Sequence, residues 1–184
     1  MRVISGALRG RRLTAPRGMA TRPTGDRIKE SLFNILANHL RNRRVLDLFA
    51  GTGALGIEAL SRGAVYAVFV DQAQPALSAI HRNLRDLGLE DRSRVIRWDI
   101  RSNLNFLRTL GQPMDLVFMD PPYETGAIAP TLHALVSSDQ LAAGARIVVE
   151  HSLRETILLP IASLTLTDQR RFGKTLVSFM DFMI

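Results

Sequence analysis

The chain has 184 residues, no cysteine, 46% hydrophobic residues and a formal net charge of +7. That length and composition predict one domain burying on the order of 70% of its unfolded surface, and they exclude disulfides and thiolate metal sites. No apolar run approaches the ~18 residues that a membrane span needs, and no signal-peptide pattern is present, so a soluble, cytoplasmic protein is expected.

The charge is unevenly placed. Residues 1–44 hold 11 Lys and Arg against Asp26 and Glu30, while residues 45–184 are nearly neutral. A basic extension on a neutral body is an electrostatic footprint for a polyanion. Within it, residues 2–6 and 10–16 read as two extended pieces around a glycine turn, from which Arg9, Arg11 and Arg12 project. A helix is predicted from Thr24 or Asp26, with Ile28, Leu32, Ile35, Leu36 and His39 on its packing face. Arg22, Arg27 and Lys29 are expected to stay outside that face.

From Val45 onward, strand and helix patterns alternate. Predicted strands cover 45–49, 65–70, 95–98, 116–119 and 147–149, and predicted helices run from the glycine stretch to about Arg62, from Pro75 to Leu87, from Ser102 to Leu110 and from Ala127 to Val136. Residues 164–167 and 176–180 flank a turn at Phe172-Gly173 and read as an antiparallel pair. Alternation of this kind argues for an open, doubly wound α/β sheet, mostly parallel, whose ligands bind beyond the carboxyl ends of the strands. Asp47 lies within the first strand, and Asp71, Asp99 and Asp120 stand at the ends of the next three. All four are expected along one rim. The four histidines lack metal-ligand spacing and are expected at the surface or its boundary, with no metal site.

Asp120-Pro121-Pro122-Tyr123 follows the uninterrupted apolar run 116–119. Prolines fix φ and offer carbonyls without competing N–H groups, and Tyr123 presents a flat face. A rigid pair of acceptors beside a stacking platform suits the exocyclic amine of a nucleobase. The competing reading is an ordinary turn after a strand.

Gly51-Thr52-Gly53-Ala54-Leu55-Gly56 matches G-x-G-x-x-G between a strand and a helix, with Asp71 at the offset of a ribose-binding acid. Alone, this is a nicotinamide dinucleotide fingerprint. Asp47 beside the loop would repel a pyrophosphate yet suits an ammonium group. Asp99 can accept from an adenine amine, and little chain remains for a separate substrate domain. A ligand with an amino-acid end, a ribose and an adenine, but no phosphate, meets these features, which points to S-adenosylmethionine.

With these motifs and the N-terminal Ile4-Ser5-Gly6, Arg9-Gly10-Arg11-Arg12-Leu13 and Arg22-Pro23-Thr24 in place, the chain resembles class I methyltransferases acting on exocyclic amines. It is most similar to the bacterial small-subunit (16S) ribosomal RNA guanine-N2 methyltransferase family. The resemblance implies a single domain, 1–184, with a seven-stranded Rossmann-like sheet and a C-terminal antiparallel hairpin. It implies S-adenosylmethionine held by Asp47, Phe49, Ala50, Gly51, Thr52, Gly53, Asp71, Gln72, Asp99 and Ile100, and catalysis by Asp120, Pro121, Pro122 and Tyr123. Ribosomal RNA or an assembling small subunit would be the partner of a monomer. Its contacts would be Arg9, Arg11, Arg12, Arg22, Arg27 and Lys29, with Arg170, Arg171 and Lys174 from the C-terminal turn. Rival readings are a DNA adenine-N6 methyltransferase, a nicotinamide-dependent oxidoreductase and a non-catalytic RNA-binding module.

Overall fold

The apolar run ending at Asp120 lies at the centre of a seven-stranded sheet. The computed structural model describes residues 1–16, 23–157, 161 and 163–183. In chain order the elements are α1 (Pro23–Ile35), β1 (Arg44–Leu48), α2 (Ala54–Ser61), β2 (Tyr66–Asp71), α3 (Gln74–Leu87), β3 (Ser93–Arg97), β4 (Met114–Met119), α4 (Ile128–Val136), β5 (Leu141–Ser152), β6 (Leu164–Phe172) and β7 (Thr175–Phe182). The sheet order is β3-β2-β1-β4-β5-β7-β6. The first five strands of that order pair in parallel, and β7 pairs antiparallel with both β5 and β6.

Both faces of the central strands β1, β2 and β4 are covered, which is why their sequences are largely apolar rather than alternating. Leu116 and Phe118 of β4 pack toward α1, α2 and α3 with Phe33, Phe69 and Ile80. Val117 and Met119, one residue out of step, pack toward α4 with Leu132, Leu135 and Met180. Chain order reverses between β1 and β4, so their carboxyl ends open a crevice where the glycine loop and Asp120 face each other.

Several expectations are met closely. The α3 helix has Pro75 in its first turn and Gly88 as its left-handed cap. The strand pair β6–β7 closes the sheet as expected. Others are corrected. The segment read as a helix over 102–110 is a 3-10 turn at Asn105–Thr109. β5 extends over Leu141–Ser152 rather than 147–149, and its Arg146 makes a two-pronged ion pair with Asp181 of β7 at 2.7 and 2.9 Å. His39 is exposed in a 3-10 turn after α1, and the helix instead buries Phe33. His151 is fully buried between β5 and β7, with Nε2 2.8 Å from Ser178 Oγ.

The basic N-terminal extension is fastened to the core. Glu58 of α2, wholly buried, accepts from the backbone N–H of Ile4 at 2.8 Å and of Ser5 at 3.0 Å. Ser61 takes the N–H of Leu8 on its hydroxyl, and Asn83 of α3 bridges Thr14 to Thr52 of the glycine loop. Val3 and Leu13 are buried in the main core, since the extension is too polar to form its own. Lys29 also turns inward. Only 5% exposed, it lies 3.4 Å from Glu58 and donates to the Arg2 carbonyl, so the expectation that it stays free for RNA is corrected.

Candidate active site

At the end of β1 the chain turns sharply through Phe49, whose φ is +59°, into Gly51 and Gly53 at +56° and +76°. A left-handed phenylalanine is strained by about 1–3 kcal/mol and persists where surrounding packing holds it. Gly53 caps α2, and Gly56 sits in its first turn. A Cβ on Gly56 would stand 2.4 Å from Phe69 Cε1 and 3.2 Å from Asp47 Oδ2, so only glycine lets the helix approach β1 this closely. That approach lets the Gly56 N–H donate to Asp47 Oδ2 at 2.9 Å.

Asp47 is 2% exposed, and burial pushes its carboxyl up to about 7, an effect opposed by the Gly56 hydrogen bond and increased by the Asp71 charge. Among the described residues its Oδ1 has no hydrogen-bond donor. Asp71, at the end of β2, accepts from the N–H groups of Gly51 and Ala73, both at 2.9 Å, and so ties the glycine loop to the start of α3. Asp99, beyond β3, is exposed, caps its own turn through the Arg101 N–H at 3.1 Å and pairs with the Arg101 side chain at 3.5 Å.

These acids share one cavity of about 660 Å³, which is walled on its apolar side by Phe49, Trp98 and Ile100. Every residue expected at the cofactor and catalytic sites lines it except Gly53, which is buried beneath. The four aspartates therefore do gather along one rim.

A second cavity of about 730 Å³ lies beyond, between α1, the ends of β4 and β5 and the β6–β7 turn. The two cavities meet at Met1, Ala54, Leu55, Asp120 and Tyr123. Asp120 keeps open surface toward the cleft but is walled by protein elsewhere. Loss of water, then the charges of Glu150 and Asp47, hold its carboxyl well above the usual range. Tyr123 is 44% exposed, and its hydroxyl donates to Glu150 Oε1 at 3.0 Å while lying 3.0 Å from Thr175 Oγ1. Burial of that hydroxyl raises its pKa to about 12. The Thr125 hydroxyl donates to the Pro122 carbonyl at 2.8 Å, stiffening the loop further.

Glu150 follows the apolar run 147–149 as Asp71 and Asp120 follow theirs, and it lies within β5 level with the end of β4, yet sequence reasoning gave it no role. Of the expected RNA contacts, Arg9, Arg11, Arg12, Arg27, Arg170, Arg171 and Lys174 are exposed. Arg22 lies outside the described residues. Arg11 donates to the Asp86 carbonyl at 2.8 Å, Arg170 pairs with Asp168 at 2.9 Å, and Lys174 borders the second cavity.

The family described as conserved hypothetical protein 95 matches residues 1–181. The chain belongs to this family. Ribosomal RNA small subunit methyltransferase D of Escherichia coli strain K12 is 39% identical over 150 residues, covering 82% of this chain and 74% of that protein. The protein of the same name from Haemophilus influenzae is 36% identical over 163 residues, covering 87% and 83%. The solved structure of Escherichia coli yhhF superimposes with a TM-score of 0.86 at 34% identity, over 100% of this chain and 98% of that one.

Proposed function

We propose that this protein transfers a methyl group from S-adenosylmethionine to the exocyclic N2 of a guanine in small-subunit ribosomal RNA. The observation that carries this reading is the meeting of two cavities at Asp120 and Tyr123, one lined by the four strand-end acids and one floored by apolar side chains. Membership of a family whose relatives are named for small-subunit ribosomal RNA methylation supports it.

The cofactor-side residues suit a ligand that carries an ammonium and hydroxyls rather than phosphates. Asp47, with an unengaged oxygen, would take the ammonium end, Asp71 the ribose hydroxyls and Asp99 the adenine amine, with Trp98 and Ile100 against the ring. When bound, S-adenosylmethionine supplies a methyl group on a positively charged sulfur.

The chain's own contribution is to the nucleophile, whose lone pair is delocalised into the guanine ring. Asp120 and the Pro121 carbonyl accept the two N–H bonds of the amine and hold the nitrogen toward the cofactor-side cavity. Asp120 takes the proton as positive charge develops on nitrogen, a role that its raised proton affinity favours. Tyr123 stacks on the extruded base, whose unstacking costs a few kcal/mol. The exposed arginines of the N-terminal extension and the β6–β7 turn hold phosphates.

The test is mass spectrometry of ribosomal RNA nucleosides from cells with and without this protein, together with methylation of the deficient small subunits by the purified enzyme. N2-methylguanosine disappears in the deletion and returns in vitro. An unchanged nucleoside profile, or methylation of adenine in duplex DNA instead, overturns the reading.

A further inference from the structure

The second cavity contains an acid that the chemistry above does not use. Glu150 lines that cavity and not the cofactor-side one, so it stands on the base side of Asp120. Its Oε1 is held by the Tyr123 hydroxyl at 3.0 Å, itself steadied by Thr175 of β7. Among the described residues its Oε2 has no donor. A half-buried carboxylate with one oxygen fixed and the other open to a cleft is built to accept one more hydrogen bond.

We propose that Glu150 reads the ring N1–H of the target guanine and so makes the site select guanine over bases whose ring nitrogen beside the amine is an acceptor. The inference rests on the methyl-transfer reading above. On guanine, the 2-amino group and N1–H are adjacent donors pointing the same way. Asp120, just past the end of β4, and Glu150, level with it on the neighbouring β5, offer two acceptors side by side to that pair. Adenine presents its amine beside a ring-nitrogen lone pair, which would face a carboxylate with no proton between them, an arrangement that costs affinity for the wrong base. A strand-end Asp-Pro-Pro-Tyr loop can grip any such amine, and the second acid supplies the distinction.

Charge around the pair fits the assignment. Burial raises the Glu150 carboxyl and the Tyr123 hydrogen bond opposes that rise, while Asp120 is raised by burial and then by the charges of Glu150 and Asp47. Lys29, Lys174 and Asp26 also border this cavity, Lys29 already engaged by Glu58.

The experiment compares small subunits reconstituted from ribosomal RNA with guanine or 2-aminopurine at the mapped acceptor position. 2-Aminopurine keeps the reactive amine but replaces N1–H with a lone pair. The wild-type enzyme should prefer guanine by about 10- to 100-fold in kcat/KM, the effect of one hydrogen bond to a charged group. Glu150→Gln, whose amide can donate to that lone pair, should collapse the preference to within a few-fold while S-adenosylmethionine affinity is unchanged. Tyr123→Phe keeps the stacking face but releases Glu150 Oε1, so it should also lower the preference for guanine. Equal use of both bases by wild type, or an unchanged preference in Glu150→Gln, overturns the inference. Absence of any guanine-N2 methylation by wild type would instead overturn the function on which it rests.

Discussion

Glu58→Ala removes the acceptor on which the N-terminal extension and α1 converge. In the native protein this wholly buried carboxylate takes the N–H groups of Ile4 and Ser5, the Arg62 Nε at 2.8 Å and the Lys29 ammonium at 3.4 Å. Arg62 is 13% exposed and also lies 5.0 Å over the Phe33 ring, so it can retain part of its environment. Lys29, 5% exposed, cannot. Losing one partner of a buried pair costs about 3–5 kcal/mol, a large fraction of the roughly 5–15 kcal/mol that stabilises a domain of this kind. Urea unfolding followed by fluorescence measures the loss, and hydrogen exchange localises it to the amides of Ile4 and Ser5. Native burial already lowers the Lys29 pKa, with Glu58 as the main opposing influence, so the variant lowers it further. The unfolded chain then binds the extra proton, so the variant's stability deficit shrinks as pH rises from 7 toward 10. A loss under about 1 kcal/mol, set against that ~3–5 kcal/mol expectation, or a deficit indifferent to pH, would refute the idea that one carboxylate anchors this region.

Three further outcomes are expected. Asp47 has a folded pKa of about 7, raised from the ordinary carboxylate value. The stability it contributes is therefore present at acid pH and lost as pH rises through 7, while S-adenosylmethionine affinity climbs over pH 5.5–7 by titration calorimetry, a slope that Asp47→Asn should flatten. Gly56→Ala drives a methyl group into Phe69, which is fully buried. It should cost about 1–3 kcal/mol in urea unfolding and weaken cofactor binding, and a wild-type unfolding midpoint would contradict the close approach. Asp120→Ala should lose at least 100-fold in turnover (about the contribution of one positioned proton acceptor) with cofactor affinity kept, whereas Asp71→Ala frees the Gly51 and Ala73 N–H groups and weakens cofactor affinity first. Normal methylation by both variants would remove these residues from the site.

Where the fold depends on local pattern, the sequence discloses it. The apolar runs of β1, β2 and β4, the Pro75 and Gly88 ends of α3 and the strand-end acids all follow from short-range rules, and the cofactor-side cavity contains nearly every residue those rules selected. What stayed hidden depends on partners distant in the chain. Helical periodicity sets Lys29 on a polar face, and only the arrival of Glu58 beside it makes burial tolerable. His151 is buried because Ser178, on the antiparallel partner strand, meets its ring. The first half of β5 has no β-branched or aromatic residue and includes Gly144 at a φ of +71°, so it has little strand signal of its own. Pairing with β4 and the Arg146–Asp181 bridge hold it in the sheet.

The two cavities draw on different stretches of the polypeptide. Apart from Met1 and Ala15, the cofactor side is drawn from residues 47–123, whereas the base side also needs residues 172–177 from the last turn of the sheet. During synthesis the ribosome therefore delivers every cofactor-side residue well before the β6–β7 turn emerges. A nascent chain arrested between those points holds the complete donor half of the reaction and lacks one wall of the acceptor half.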